Sequence, residues 1–245
     1  MLKKYSTYLS ILLATGVIAS LLVASYQRNG VYKTPVTLWA DASSKSVEKR
    51  RTHENYGQAL STAGMYHAAL EQFKTVLALK DDGSVPMRDL YREMGVVFFR
   101  MGLYDDAITS WETGLRHAPS DPSILNNLAV VFIKKGWYDK AEAAVRQALQ
   151  VSPYMPHLLN TLGELLMNKG NYEEGLNSFL AAVRQGPDVN ARYWNVALAA
   201  ERTGRYEMAY QYATRYAEGE SDPVGRQNAL LFIDSLQKRL SKNGK

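Results

Sequence analysis

A glycine followed two positions later by a tyrosine recurs at Gly64/Tyr66, Gly102/Tyr104, Gly136/Tyr138, Gly170/Tyr172 and Gly204/Tyr206, in steps of 38, 34, 34 and 34 residues. A fixed period of this length means one supersecondary unit copied and stacked, because a single copy cannot bury its apolar face alone. Two further columns share the period: Gly57, Gly95, Ala129, Gly163 and Ala197 lie seven places before each glycine, and Ala69, Ala107, Ala141, Gly175 and Ala209 lie five places after it. Small residues at fixed places are what helix crossings demand, since interaxial distances of about 8–10 Å leave no room for a branched side chain at the contact. Large residues flank the first column at Tyr56, Met94, Leu128, Leu162 and Val196 and at Leu60, Phe98, Phe132 and Leu166. In the second half of each unit Phe73, Trp111, Val145 and Phe179 take a buried slot. Each recurring glycine closes a first helix in the left-handed conformation, and each tyrosine opens a second.

Prolines punctuate the same frame. Pro119, Pro153 and Pro187 follow second helices, whereas Pro122, Pro156 and Pro223 sit at first helical positions, with Asp121 and Asp222 as N-caps. The 34-residue helix-turn-helix period and these columns resemble the tetratricopeptide repeat. The resemblance implies an all-α solenoid of five repeats over residues 50–222 (50–87, 88–121, 122–155, 156–189 and 190–222). An amphipathic capping helix and basic tail, 223–245, follow, with Ala229, Leu230, Ile233, Leu236 and Leu240 on one face. The first repeat carries Asp81 where the others have proline, and extra residues in the loop 81–86 account for its longer step. A more mobile junction is expected there.

Residues 1–27 are of another character. No charged side chain occurs from Tyr5 to Gln27, and Leu9 to Ala24 is almost wholly apolar. A stretch of this kind reaches the roughly 17–25 residues that span about 30 Å of hydrocarbon. Two readings fit it: a signal-anchor helix, and a cleaved signal peptide with Val23-Ala24-Ser25 as the processing site. The length of the apolar run favours the anchor. Lys3 and Lys4 with the amino terminus, against Arg28 and Lys33, weakly set the N-terminus in the cytoplasm. The expectation is a single-pass membrane protein with its repeats outside the cytoplasm, periplasmic if the source is bacterial.

Residues 28–49 form a juxtamembrane linker and a partial repeat, in which Thr37 to Ser44 reads as a leftover second helix with Trp39 in the column of Phe73 and Trp111. The residues Arg28-Asn29, Tyr32, Leu38-Trp39, Asp41 and Lys45-Ser46, followed by Arg51, His53, Asn55 and Gly57, resemble a known junction. In membrane-embedded mannosyltransferase-like proteins of the transmembrane-and-tetratricopeptide type, the last span passes into the repeats in this way. That resemblance implies repeats facing the lumen or periplasm. It does not carry over glycosyl transfer, because the preceding spans and acidic loops have no counterpart here.

Partner binding is expected on the concave face lined by first helices. Asn55, Asn127 and Asn195, joined by Asn126 and Asn160, form a broken ladder of carboxamides, with Glu93 and Thr161 at two of its places. It resembles the asparagine ladder of the repeats in the nucleocytoplasmic glycosaminyltransferase. Carboxamides can grip an extended peptide backbone, and they can equally tie their own helix locally. Between them lie Arg92, Val96, Phe99, Val130, Ile133, Met167, Trp194 and Leu198, either a groove for a polypeptide or packing against the next repeat. The mixed charges of this face do not match the clamp by which chaperone-binding repeats hold a C-terminal carboxylate.

Composition narrows the remaining classes. Zero cysteines exclude disulfides, thiolate nucleophiles and cysteine-based zinc sites. The four histidines fall at different places in different repeats, so no metal or cofactor is expected and the chain is read as non-enzymatic, without a small-molecule substrate. A net charge of +5 is interspersed rather than striped, which argues against nucleic acid. The function expected is a membrane-anchored scaffold for a protein or peptide partner in a membrane or envelope complex. The alternatives are an accessory subunit of a mannosyltransferase-like glycosylation system, and a purely structural subunit.

Overall fold

The computed structural model describes residues 15–26, 29–30, 32–187 and 189–243 of the chain. It divides into two compact units, one ending at Ala107 and one beginning at Ile108, a boundary that falls inside a helix. The first holds α1 (described at residues 15–26 and 29–30), α2 (Pro35–Lys45), α3 (Arg50–Thr62), α4 (Tyr66–Ala78), α5 (Met87–Arg100) and the first turn of α6 (Tyr104–His117). The second holds the rest of α6, then α7 (Pro122–Lys134), α8 (Tyr138–Val151), α9 (Pro156–Asn168), α10 (Tyr172–Gln185), α11 (Ala191–Arg202), α12 (Tyr206–Gly219) and α13 (Pro223–Asn243). No strand occurs among the described residues.

Each predicted hairpin closes through the same backbone device. Gly64, Gly102, Gly136, Gly170 and Gly204 have φ between 72° and 84°, a conformation open to glycine at little cost. The next residue then turns its N–H back on the first helix. Met65, Leu103, Trp137, Asn171 and Arg205 donate to the carbonyls of Leu60, Phe98, Phe132, Leu166 and Ala200 at 2.8–2.9 Å. These bonds satisfy carbonyls that a helix end would otherwise leave orphaned. The tyrosines open α4, α6, α8, α10 and α12.

The small columns are where the paired helices touch. A Cβ on Gly57 would stand 2.5 Å from the Phe73 ring, and one on Gly163 would stand 2.6 Å from the Phe179 ring. On the opposing helix a Cβ at Gly175 would come within 3.2 Å of the Gly163 carbonyl. Ala69, Ala107, Ala129, Ala141, Ala197 and Ala209 have no exposed surface. Around these crossings each unit builds its own core. In the first, Leu60, Phe73, Val76, Leu90 and Val97 cluster; in the second, Leu176, Phe179, Tyr193, Val196 and Leu236.

The longer first connection, where a looser junction was expected, carries its own set of polar contacts. Arg50, only 2% exposed, donates from Nε to the Val76 carbonyl at 3.1 Å and pairs its guanidinium with the Asp81 carboxylate. Asp81 also accepts from the Gly83 N–H and Asp82 from the Ser84 N–H, while Val85 is buried. An arginine reaching across the inserted loop takes the place of proline stiffness.

At the N-terminal side, Thr34 and Thr37 form a reciprocal capping box and Pro35 occupies the first turn, so α2 forms as expected and packs on α3. Its Trp39 is half-buried rather than enclosed like Phe73. Gly30 and Tyr32 extend the Gly-x-Tyr period one step earlier than the five copies read from the sequence, although Gly30 is helical and has no positive φ. The apolar stretch Tyr5 to Gln27 lies only partly among the described residues, because residues 5–14 and Gln27 fall outside them. Residues 15–26 are helical and exposed throughout, and no helix among the described residues is long and apolar enough to cross a membrane.

At the other end α13 packs on α12 through Ala229, Ile233 and Leu236, and Arg239 bonds Glu201 of α11 at 2.8 Å. Leu230, assigned from sequence to the packed face, borders α12 in a cavity with Tyr210, Thr214 and Ala217 and is 49% exposed, while its neighbour Leu231 is 60% exposed. The cap is therefore not wholly polar-backed.

Crossing and turn glycines should differ in mutational cost. Gly163→Val is expected to lose on the order of 1–3 kcal/mol by overpacking against Phe179. Gly170→Ala is expected to lose about 1–2 kcal/mol from the left-handed backbone alone. Urea denaturation of the two variants measures both.

Candidate protein-binding faces

In the first unit the first helices α3 and α5 touch and present Asn55, Arg92, Val96 and Phe99, all half-buried. Arg92 and Val96 share the lining of a 400 Å³ cavity with Gln58, Ser61, Thr62, Glu93 and Arg100. Gln58, Ser61 and Thr62 are not among the residues expected on this face. Asn55, Gln58 and Thr62 nevertheless stand at the i, i+3, i+7 spacing of one helix face, a signal that would have found two of them. Phe99 leans on its own turn, with its ring 5.5 Å from Tyr104.

Charge on this face is largely compensated. Arg51 bonds Glu54 at 2.7 Å, and Arg92 lies 3.1 Å from Glu93 and 3.6 Å from Asp89. Glu54 is nearly fully buried, and that burial raises its carboxyl above the ordinary value against the opposing pull of Arg51. His53 ties α3 to its surroundings, with Nδ1 2.9 Å from the Gln72 Oε1 and Nε2 2.9 Å from the Val47 carbonyl.

A second cavity of the first unit, about 650 Å³, opens between α2 and α3. Trp39 and Val36 line one wall and Asn55, Ala59, Thr62 and Met65 the other.

In the second unit the asparagines meet one another. Thr161 donates its hydroxyl to the Asn126 Oδ1, and Asn195 donates Nδ2 to the Asn160 Oδ1, each at 2.8 Å. These bonds join residues 35 apart on successive first helices, α7 to α9 and α9 to α11. The sequence left ligand contact and local backbone ties open; Thr161 makes a local tie as well, to the His157 carbonyl at 3.0 Å, but the bonds formed by Asn126, Asn160 and Asn195 are of neither kind. They stitch repeat to repeat. Asn127 and Val130 remain half-buried on α7, and Leu198 is 39% exposed on α11.

Three residues expected on an open surface are already engaged. Ile133 is 6% exposed, one turn beyond Val130 and rotated into the core. Met167 packs against the cluster around Leu176 and Phe179. The Trp194 ring lies 5.1 Å from Tyr216 and 5.2 Å, edge-on, from Phe232 of α13, so the terminal helix covers part of it and leaves it half-buried. Outside this face, Lys169 and Arg146 both bond Glu142 and hold its carboxyl below the usual value, another tie between hairpins.

Helix hairpins closed by a left-handed glycine, crossing at paired small residues and stitched along their first helices, define a helical repeat protein of the kind that serves as an interaction scaffold. The chain belongs to the tetratricopeptide repeat family, whose model matches residues 92–156 and 160–223, together more than half the chain. No curated protein matches it in sequence. Among solved structures it is similar to the Cut9–Hcn1 hetero-tetramer of the APC/C, at 14% identity and a TM-score of 0.69, covering 80% of this chain and 38% of that one. It is also similar to yeast Tom70, at 17% identity and a TM-score of 0.69, covering 84% of this chain and 43% of that one. A third likeness is to YrrB, described as a tetratricopeptide repeat protein with an unusual peptide-binding site, at 20% identity and a TM-score of 0.52, covering 78% and 96%. The chain thus spans less than half of the first two proteins, and likenesses this remote speak for the fold alone.

Two outcomes test this geometry. In a double-mutant cycle, Asn160→Ala and Asn195→Ala should show a coupling of about 0.5–1.5 kcal/mol in urea unfolding, because either change breaks the same bond. The Glu54 carboxyl takes its proton at higher pH when folded than when unfolded, so the chain gains stability as pH falls through the folded value. Glu54→Gln should therefore raise the urea midpoint at neutral pH, and that advantage should shrink on acidification into the ordinary carboxyl range.

Proposed function

We propose that this protein is a membrane-tethered scaffold that holds a polypeptide partner on the first-helix faces of its repeats, as part of a membrane or envelope assembly. The observation that supports it best is the 400 Å³ cavity between α3 and α5, where Arg92, Arg100 and the hydroxyls of Ser61 and Thr62 stand beside Val96. Such a cleft offers a peptide both hydrogen-bond partners and an apolar contact. Asn127, Val130 and Leu198 present a similar mixture in the second unit. The tether rests on the uncharged run Tyr5 to Gln27, whose described part is a helix with Val17, Ile18, Leu21, Leu22 and Val23 all more than half exposed. Apolar side chains so displayed favour hydrocarbon over water. Its orientation, with the repeats outside the cytoplasm, follows the flanking lysines.

A second reading, an accessory subunit of a membrane glycosylation system, draws on the sequence resemblance at the junction around α2, between the apolar stretch and the first complete repeat. Copurification separates the two: a polytopic mannosyltransferase-like partner favours the second reading.

Photoreactive residues placed at Val96 and Leu198 in intact cells should give protein adducts, and labelling of lipid alone would defeat the scaffold reading. Arg92→Glu and Val96→Asp should each weaken capture of the crosslinked partner by at least about 1 kcal/mol, roughly fivefold.

A further inference from the structure

The 650 Å³ cavity between α2 and α3 lies where the repeat frame is half complete. The second helix of a hairpin, α2, is present and packs on α3, and among the described residues no first helix covers it, residues 15–26 being exposed throughout. Phe73 and Phe179 lie against glycines of their first helices, whereas Trp39, at the same place in the frame, lines the cavity and stays half-buried. The chain carries the missing piece one period upstream. Counted from Gly30 as the others are counted from their glycines, Ile18 falls at the place of Leu90, Ile124 and Leu158, all wholly buried. Leu22 falls at the place of Met94, Leu128 and Leu162. Ser20 falls at the place of Asn126 and Asn160, and Asn55 on the cavity wall at the place of Thr161 and Asn195. The two inter-repeat bonds of the second unit thus have an unmade counterpart in the first, between Ser20 and Asn55.

We infer that α1 docks into this cavity as the first helix of an additional repeat whenever it is not in a bilayer. Gly30 then takes the left-handed conformation of the other five turn glycines, which glycine adopts at little cost. Ser20, which bonds the Val17 carbonyl of its own helix at 2.8 Å, turns to Asn55. Docking is reversible because the frame is broken in both crossing columns: Val23 stands where every complete hairpin has glycine or alanine, and Pro35 stands where the second helices carry alanine or glycine, so α1 cannot approach α2 as closely as Gly57 approaches Phe73. The same apolar residues cannot lie in hydrocarbon and in the cavity at once. The two burial sites exclude one another.

The chain contains no cysteine, which makes the test direct. Ser20→Cys and Asn55→Cys are introduced together into the full chain and oxidised in lipid-free buffer. A pair joining Ser20→Cys to Glu71→Cys, on the exposed side of α4, serves as control. An intrachain disulfide should form at least about tenfold faster in the first pair, since docking converts a chance encounter into a held one. Adding Thr62→Trp, which fills the cavity from its exposed rim, should cut that yield severalfold while the helical circular dichroism is unchanged. Equal rates in the two pairs would overturn the inference. So would a disulfide formed only between chains, which would put a second copy's helix in the cavity, or a yield indifferent to Thr62→Trp.

Discussion

Everything in this molecule depends on how closely two helices of one hairpin can approach. Gly57 under Phe73 and Gly163 under Phe179 let an aromatic ring rest on bare backbone, and Gly175 meets the Gly163 carbonyl from the other side. The ring then fills the space that a larger residue on the first helix would have occupied, and dispersion contacts accumulate where packing is tight. Approach alone would not fix the angle at which the chain returns. That is set by the left-handed glycines and by the N–H beyond each, which reaches back to the first helix. Crossing and turn are separate devices on the same period, and a repeat needs both.

Once hairpins are rigid, they must hold to one another, and here polar chemistry contributes alongside apolar burial. Asn160 with Asn195 and Asn126 with Thr161 fix the register of successive first helices, while Lys169 with Glu142 and Arg205 with Glu173 link hairpins at more exposed places. Exposed ion pairs contribute little stability, and the half-buried amide bonds are more directional. In the first unit Arg50 performs the equivalent task across the inserted loop by closing on Asp81 and the Val76 carbonyl. The stitching consumes carboxamides that a peptide-gripping ladder would need. What stays open on these faces is the cleft around Arg92 and Val96 and the exposed edge at Leu198.

The hairpin frame could be read from the chain because each of its requirements is local. Only glycine tolerates the turn conformation, only small residues tolerate the crossing, and Pro122, Pro156 and Asp121 mark helix starts by backbone chemistry alone. The candidate site was less legible because it depends on what arrives from far along the sequence. Trp194 has the spacing of an open face, and only the return of α13 brings Phe232 against it. Ile133 lies one turn from Val130, near enough that a small rotation of α7 decides between surface and core. The asparagine pairs join residues 35 apart, one more than the repeat period, because adjacent helices are staggered by a residue. Gly30 and Tyr32 keep the period without making the turn, since Thr34 and Pro35 start α2 by another route.

The hairpins hold only if the five glycine turns are closed as tightly as the helices they join. Native-state hydrogen exchange on the full chain measures this at the N–H groups of Met65, Leu103, Trp137, Asn171 and Arg205. Closed turns give protection at all five comparable to that of the neighbouring buried helix amides. Exchange at the rate of an open loop, with the helices still protected, would contradict it.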